Sequence, residues 1–524
     1  MTRLGAVLEP STRDSSASPP SPWTDDILLE EGLLAGGPAG LAGVARLVGA
    51  VTAAAATGLR RRRGPLPGAS PAALAQRVAT DLGAVLPDRG GGAAALLSLA
   101  RRYAEGTVDL SHPAAAAHLQ PPALTVAAAA DLLANVFNAS VDTWDSGPYA
   151  VELERHVVSA LTDLAGYGGK AGGVLTSGGT ASNLHGLLLA RDVTARTRLA
   201  RDVPATGVSG LGRRAVVLCS RVAHFSVAQA CGVLGLGEDA VMPVAVDDRW
   251  RMRADALEAA IGGLGEDALP LAVVATAGTT DFGSVDPLPE IAEVARRHGV
   301  RLHVDAAYGG GALFSDRLRP LLAGLYAADT ITLDLHKTAW QPAAASALLV
   351  RHAADLDEHG RRVAYLNPCD DGAEGYDGLL NRSLATTRRA DALKVAATFL
   401  VLGRRGLGAL LDTCHDLASY AGRRVRAHPR LELTSGALPT TVVFRYLPRR
   451  HLALAPDRVD ALNAGLRRRL MRSGAVLIGR TTVDDAQGRP TVQLKLTLLN
   501  PRAQTHDVDA LLDAVVRAGD EEDR

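Results

Sequence analysis

The chain has 524 residues, of which 56 are basic and 56 acidic, so its formal charge is zero. Such a length predicts roughly two to four domains, or one large domain with appendages, and a hydrophobic share of 47% is enough to bury a core. Neutrality argues against a general nucleic-acid or anionic-membrane binder, which carries a basic excess.

Residues 1–25 are rich in Ser, Pro and Thr and read as a disordered tail. Residues 26–125 read as a helical segment, Ala- and Leu-rich and broken by Gly/Pro turns. Its most apolar stretch, 41–56, is interrupted by Arg46 and reads as too short to span a bilayer. No signal peptide is visible. The run Arg60–Arg63 reads as a solvated turn rather than a phosphate contact, because nothing aromatic or basic surrounds it. The four cysteines, Cys219, Cys231, Cys369 and Cys414, are scattered without a CxxC, which fits a reducing cytoplasm and no bound metal.

From about residue 149 short apolar runs alternate with helical stretches. Strands are predicted at 173–176, 215–219, 241–246, 271–276, 300–304, 330–335 and 346–350. Helices are predicted at 181–191, 227–233, 254–261 and 288–297. This alternation predicts an α/β domain, 126–395, around a mainly parallel sheet, whose ligands sit at the carboxyl ends of the strands. A long helix, 386–402, leads into a small α+β domain, 396–524, with strands at 441–446 and 492–498 and helices at 459–472 and 506–517.

Four segments at strand ends carry chemistry. Residues 176–183, Thr-Ser-Gly-Gly-Thr-Ala-Ser-Asn, turn from a strand into a helix, and the N–H groups of such a start suit a phosphate. Asp305 ends one strand and is followed by Ala306 and Ala307, which leave room for a flat ligand. Lys337 ends another, 32 positions later, the length of one crossover. His224 follows the strand ending at Cys219 and is placed to stack on an aromatic ring. Only four of the 56 basic residues are lysines. Lys170 lies in a glycine turn, Lys394 on a helix among apolar residues and Lys495 on the polar face of a strand, so strand-end position selects Lys337. Each segment alone also fits a plain Gly turn, helix cap or surface side chain. Together they suit pyridoxal phosphate, with a lysine for its carbonyl carbon and an acid for its ring nitrogen. Neither GxGxxG nor GxxxxGK[ST] occurs in the context a dinucleotide or ATP site needs.

Residues 176–183, 223–228, 276–286, 303–310 and 334–337 resemble, in content and order, the group II pyridoxal-phosphate-dependent amino-acid decarboxylases. Val141-Asp142-Thr143-Trp144-Asp145, Asp334-Leu335-His336-Lys337-Thr338 and Leu496-Thr497-Leu498-Leu499-Asn500-Pro501 look most like the L-2,4-diaminobutyrate decarboxylases and related bacterial enzymes that form diamines for siderophores. The resemblance implies the aspartate-aminotransferase-like fold (fold type I), with a seven-stranded large domain and a small C-terminal domain, in a homodimer with shared active sites. It implies Lys337 as the Schiff-base lysine, and Gly178, Gly179, Thr180 and His336 at the cofactor phosphate. It places Asp305 at the pyridine nitrogen, Ala307 and His224 on the two ring faces and Thr280 near the ring. Tyr365, 28 positions after Lys337, matches the mobile-loop tyrosine that returns a proton to the α-carbon, and Tyr376 is a weaker match.

His112 and His118 bracket a segment that forms a substrate wall in the family, but the aromatic residues usual there are replaced by Ala114-Ala115-Ala116-Ala117. Asp142 and Asp145 suit a distal ammonium, favouring diaminobutyrate, ornithine or lysine as substrate; capping the helix that starts near Pro148 is the competing role. Alternatives to diamino-acid decarboxylation are an aromatic or acidic substrate, an aldehyde synthase, a C–C lyase, a transaminase, and a non-catalytic homologue. Cys369 lies on the loop where a desulfurase would need a cysteine, without a supporting motif.

Overall fold

The computed structural model describes residues 34–360, 363–435, 439–449, 454–485 and 487–524. The expected tail, 1–25, lies outside them. The described chain forms two compact units, one of residues 34–61 and 75–105, the other of 62–74 and 106–524.

In the smaller unit, helix Gly37–Arg60 meets helix Gly92–Gly106 at Gly58, where a Cβ would stand 2.1 Å from the Arg101 carbonyl oxygen. Only glycine permits that approach. Helix Gly37–Arg60 is longer than the 41–56 stretch suggested, because the helix absorbs Arg46 and runs on to Arg60. By length and composition alone it could cross a membrane, and most of it is exposed.

The larger unit holds two sheets. Its strands are β1 (Ala115–Ala116), β2 (Gly172–Thr176), β3 (Arg214–Ser220), β4 (Val241–Val244), β5 (Ala268–Thr276), β6 (Arg301–Asp305), β7 (Thr330–Leu333), β8 (Ser346–Val350), β9 (Leu431–Ser435), β10 (Thr441–Tyr446), β11 (Leu477–Asp484) and β12 (Pro490–Thr497). The seven-stranded sheet has the order β2-β8-β7-β6-β5-β3-β4, with β8 antiparallel to both neighbours. All other pairs are parallel. Strand β5 is nearly continuous apolar sequence and almost wholly buried, as a strand covered on both faces must be. Five strands form the second sheet, in the order β1-β11-β12-β10-β9.

Several elements differ from expectation. Strand β7 stops at Leu333, and Lys337 sits on a short helical turn, Leu335–Thr338, beyond it. The long helix starts at Ala392 rather than 386 and runs to Ala427, bending at Gly403 (φ 63°). Residues 386–391 are held out of the helix by ion pairs: Arg388 to Glu154, and Arg389 to Asp131 and Asp391. The expected boundary at 395/396 falls inside this helix. Helix Pro148–Ala165 is capped at Gly147 without a side chain, so neither Asp142 nor Asp145 caps it. Asp142 instead accepts from the Thr143 N–H (3.1 Å) and the Ser146 hydroxyl (3.1 Å).

Candidate active site

Neighbouring strands deliver the four segments to one edge of the large sheet. Asp305 is the last residue of β6, Lys337 follows β7, Thr276 ends β5 and His224 follows β3. Because β8 alone is reversed, β2 runs with the parallel set, so Ser177–Thr180 emerge at the same edge. These residues line a cavity of about 550 Å³, together with Asn183, Gly278, Thr280, Ala307, Asp334 and His336. Ligands in such sheets bind at the carboxyl ends of the strands.

Helix Gly179–Leu199 starts at the cavity with Gly178 as its cap and no side chain on its first amides. Its free N–H groups therefore suit an anion. A Cβ at Gly179 would lie 2.9 Å from Asp334 Oδ2 and 3.1 Å from the Ala307 Cβ, so this approach also needs glycine. Lys337 Nζ stands 2.8 Å from Asp334 Oδ2. His336 Nδ1 meets both the carbonyl oxygen (2.8 Å) and the N–H (3.2 Å) of Ala345, which leaves Nε2 toward Asp334, 3.7 Å away.

Asp305 is buried and accepts from Asn183 Nδ2 (2.8 Å) and the Ala307 N–H (3.0 Å). His224 Nδ1 meets the Ser226 hydroxyl at 2.8 Å. Burial holds the His224 imidazole below its ordinary pKa, and the Lys337 charge adds to this, while Asp305, Asp334 and Asp281 oppose it. Thr280 is fixed from the small sheet: Lys495 Nζ donates to its carbonyl oxygen (3.2 Å) and to Asp281 Oδ1 (2.8 Å). Lys495 is thus a buried ion-pair partner rather than a surface lysine, and so is Lys394, 2.9 Å from Asp391 and 3.1 Å from Asp131.

The cavity fits pyridoxal phosphate. Thr276 Oγ1 and Asp334 Oδ1, both on its lining, are buried without a hydrogen-bond partner, as polar atoms reserved for a ligand would be. A helix start suits the phosphate, a lysine the carbonyl carbon, and an acceptor carboxylate the ring nitrogen.

The structure brings together Lys337, His224, Gly178, Gly179, Thr180, Thr280, Asp305, Ala307 and His336. His112, His118, Asp142 and Tyr365 do not line this cavity. His112 Nδ1 accepts from the Ala114 N–H (3.1 Å). Burial lowers the His118 pKa, helped by the Arg467 and Lys495 charges. Asp142 is buried in its turn, and Tyr365 is 83% exposed. Trp144 meets Tyr376 edge-on, with ring centroids 5.2 Å apart, so the 141–147 and 376–380 segments pack together. Asn183 and Thr276 were not singled out from sequence; a polar residue one helical turn beyond the Gly-Gly start was the available signal for Asn183.

Residues 84–447 match the family model described as the pyridoxal-dependent decarboxylase conserved domain. The chain is 42% identical over 432 residues to an L-2,4-diaminobutyrate decarboxylase of Rhizobium meliloti (strain 1021), covering 82% of this chain and 83% of that protein. It is 34% identical to an L-2,4-diaminobutyrate decarboxylase of Acinetobacter baumannii, covering 78% and 80%. Among solved structures, the glutamate decarboxylase domain of diaminobutyrate-pyruvate transaminase and L-2,4-diaminobutyrate decarboxylase from Vibrio parahaemolyticus superposes with a TM-score of 0.81 at 31% identity, over 93% of this chain and 98% of that one.

Proposed function

The chain belongs to the pyridoxal-dependent decarboxylase family, and from that premise we propose that it removes the α-carboxylate of a diamino acid, with L-2,4-diaminobutyrate as the preferred substrate. The observation that carries this reading is the cavity where Lys337, Asp305 and His224 converge, joined to 42% identity with a protein named for that substrate. Ornithine and lysine belong to the same substrate class.

Pyridoxal phosphate, when bound, supplies an electron sink for the pair released as carbon dioxide leaves. The chain's own residues do the rest. Lys337 would hold the cofactor through its Nζ, which Asp334 fixes. Gly178, Gly179, Thr180 and His336 would hold the phosphate. Asp305 would pair with the ring nitrogen and hold its proton. His224 and Ala307 would pack against the ring, with Thr280 beside them. Tyr365 returns the proton to the α-carbon.

Tyr365 and Asp142 lie outside the cavity of their own chain, and this supports a homodimer in which segments around 142 and 365 serve the partner's site. Asp142 would then recognise the distal ammonium, with His112 and His118 on the substrate wall. The division of the larger unit into a cofactor domain, 126–395, and a small domain, 396–524, belongs to the same proposal. So does a cytoplasmic location, which fits four unpaired cysteines.

The test is product analysis on diaminobutyrate, ornithine, lysine, glutamate, tyrosine and tryptophan, beside Lys337→Ala. Diaminobutyrate should give 1,3-diaminopropane fastest, and Lys337→Ala should lose both the absorbance of the lysine-bound cofactor and turnover. Faster release of carbon dioxide from glutamate or tyrosine would overturn the substrate reading. A Lys337→Ala protein that keeps that absorbance and still turns over would overturn the mechanism.

A further inference from the structure

Behind the cavity, a row of polar side chains crosses the middle of the sheet. Thr276, Asp305 and Thr332 are in register on β5, β6 and β7, and His303 pairs with Thr330 one step earlier. Strand periodicity puts His303, Asp305, Thr330 and Thr332 on one face. Helix Gly179–Leu199 lies over that face and lowers Asn183 into it. Its Gly186 makes room, since a Cβ there would be 2.7 Å from the His303 ring. Asn183, His303, Thr332 and Ser226 are all at most 1% exposed.

Asn183 makes four hydrogen bonds. Its amide nitrogen donates to Asp305 Oδ2 (2.8 Å) and Ser226 Oγ (3.0 Å). Its oxygen accepts from Thr332 Oγ1 (2.8 Å) and His303 Nε2 (2.9 Å). The Asp305 contact sets this polarity. A flipped amide would face its oxygen to the Asp305 carboxylate, which only accepts. With His303 Nε2 donating, the neutral ring is the Nε2–H tautomer, its Nδ1 accepting from the Thr330 hydroxyl, 2.8 Å away. Burial agrees, holding the His303 pKa down to about 4 against the opposing Asp305 charge.

The polarity propagates. Ser226 Oγ receives the Asn183 N–H, so its own proton is free for His224 Nδ1 (2.8 Å), which also accepts the Ser226 backbone N–H (3.3 Å). With two donors at Nδ1, the His224 proton is placed on Nε2.

We propose that Asn183 is a positioning residue for the reaction: one amide nitrogen orients the Asp305 carboxylate and, through Ser226, fixes His224 with its proton on Nε2. This rests on the pyridoxal-phosphate reading above, and it adds that the groups serving the ring nitrogen and the ring face are set by one buried side chain rather than independently. The two arms can be cut separately. Asn183→Ala removes both. Ser226→Ala removes only the arm to His224.

The experiment compares wild type, Asn183→Ala, Asn183→Asp and Ser226→Ala as full-length holoenzymes. It measures pyridoxal phosphate retention by titration of the apo protein, the pH dependence of the bound-cofactor absorbance, and the pH profile of kcat/KM. Asn183→Ala should weaken retention about 10- to 100-fold, the effect of losing a hydrogen bond to a charged group, and should shift both pH curves. Asn183→Asp should shift the absorbance titration further, because a second carboxylate would then face Asp305. Ser226→Ala should keep retention within about threefold and move only the kcat/KM profile. Wild-type retention and pH curves in a folded Asn183→Ala would overturn the proposal. Equal loss of retention in Ser226→Ala and Asn183→Ala would overturn the two-arm scheme. If Asn183→Ala fails to fold, an unmoved pH profile in Ser226→Ala overturns it alone. Failure of the cofactor reading is seen separately, as an unchanged spectrum in Lys337→Ala.

Discussion

Lys394 does not line the cavity, and replacing it by methionine measures what its charge does. Its Nζ is 2.9 Å from Asp391, 3.1 Å from Asp131 and 3.0 Å from the Ala344 carbonyl oxygen, in a residue 1% exposed. Methionine keeps the aliphatic stem, so the change removes a cation and leaves little cavity. Removing one partner of a buried pair costs about 3–5 kcal/mol. Here the two carboxylates keep Arg389, 2.7 Å from each, and their side chains are 21% and 26% exposed. A discount of about half for that residual pairing and solvation leaves roughly 2 kcal/mol. For a chain of this length the unfolding entropy is on the order of 1 kcal/mol/K, so the thermal midpoint should fall by about 2 °C. Urea titration and thermal scans at fixed rate check this, with Asp391→Asn added to Lys394→Met expected to recover part of the loss. A Lys394→Met protein as stable as wild type would refute the reasoning, since the ammonium's desolvation would then cancel its three contacts.

Two further outcomes are expected. Tyr365→Phe should lower the amine yield at least about tenfold, as loss of a general acid does, with dioxygen consumed and aldehyde, ammonia and hydrogen peroxide formed instead; an unchanged amine yield removes Tyr365 from the reaction. His303 is held neutral down to about 4, against an ordinary 6.5, so the unfolded chain binds its proton first. Wild type should therefore lose stability as pH falls from about 6.5 to 4, by about 3 kcal/mol from this group, and no more below that window. Asp286 is pushed the other way, up to about 6 by burial, and opposes the trend over part of the same range. The difference between wild type and His303→Gln cancels Asp286, and a difference that stays constant from pH 7 to 4.5 would refute the assignment.

The parts of the site legible in sequence are those that local rules place. Asp305 and Lys337 end adjacent parallel strands, and one crossover's length brings such residues to the same edge. The Gly178-Gly179 turn starts a helix because a strand runs out and small residues follow. What is not legible in sequence depends on which face a helix covers. Thr330 and Thr332 alternate with Ile331 and Leu333, which reads as a half-solvated strand, yet both threonines are buried because helix Gly179–Leu199 lies over them. Periodicity separates two faces without saying that the polar one is wet. Residues 386–391 continue a helical pattern, and two ion pairs to distant elements, Arg388 to Glu154 and Arg389 to Asp131, override it.

The lysines make the same point from the other side. Lys337, Lys394 and Lys495 all have a carboxylate oxygen within 3 Å, so ion pairing does not distinguish them. Their surroundings do. Lys394 meets two carboxylates and a carbonyl oxygen, and Lys495 a carboxylate and a carbonyl oxygen. Each of these two ammonium groups is buried among acceptors that hold it in place. Lys337 faces the cavity with 21% of its side chain exposed, and its partner Asp334 keeps one buried oxygen unpartnered. The proposed cofactor role of Lys337 would need such an open side, and the strand edge is where the fold supplies it.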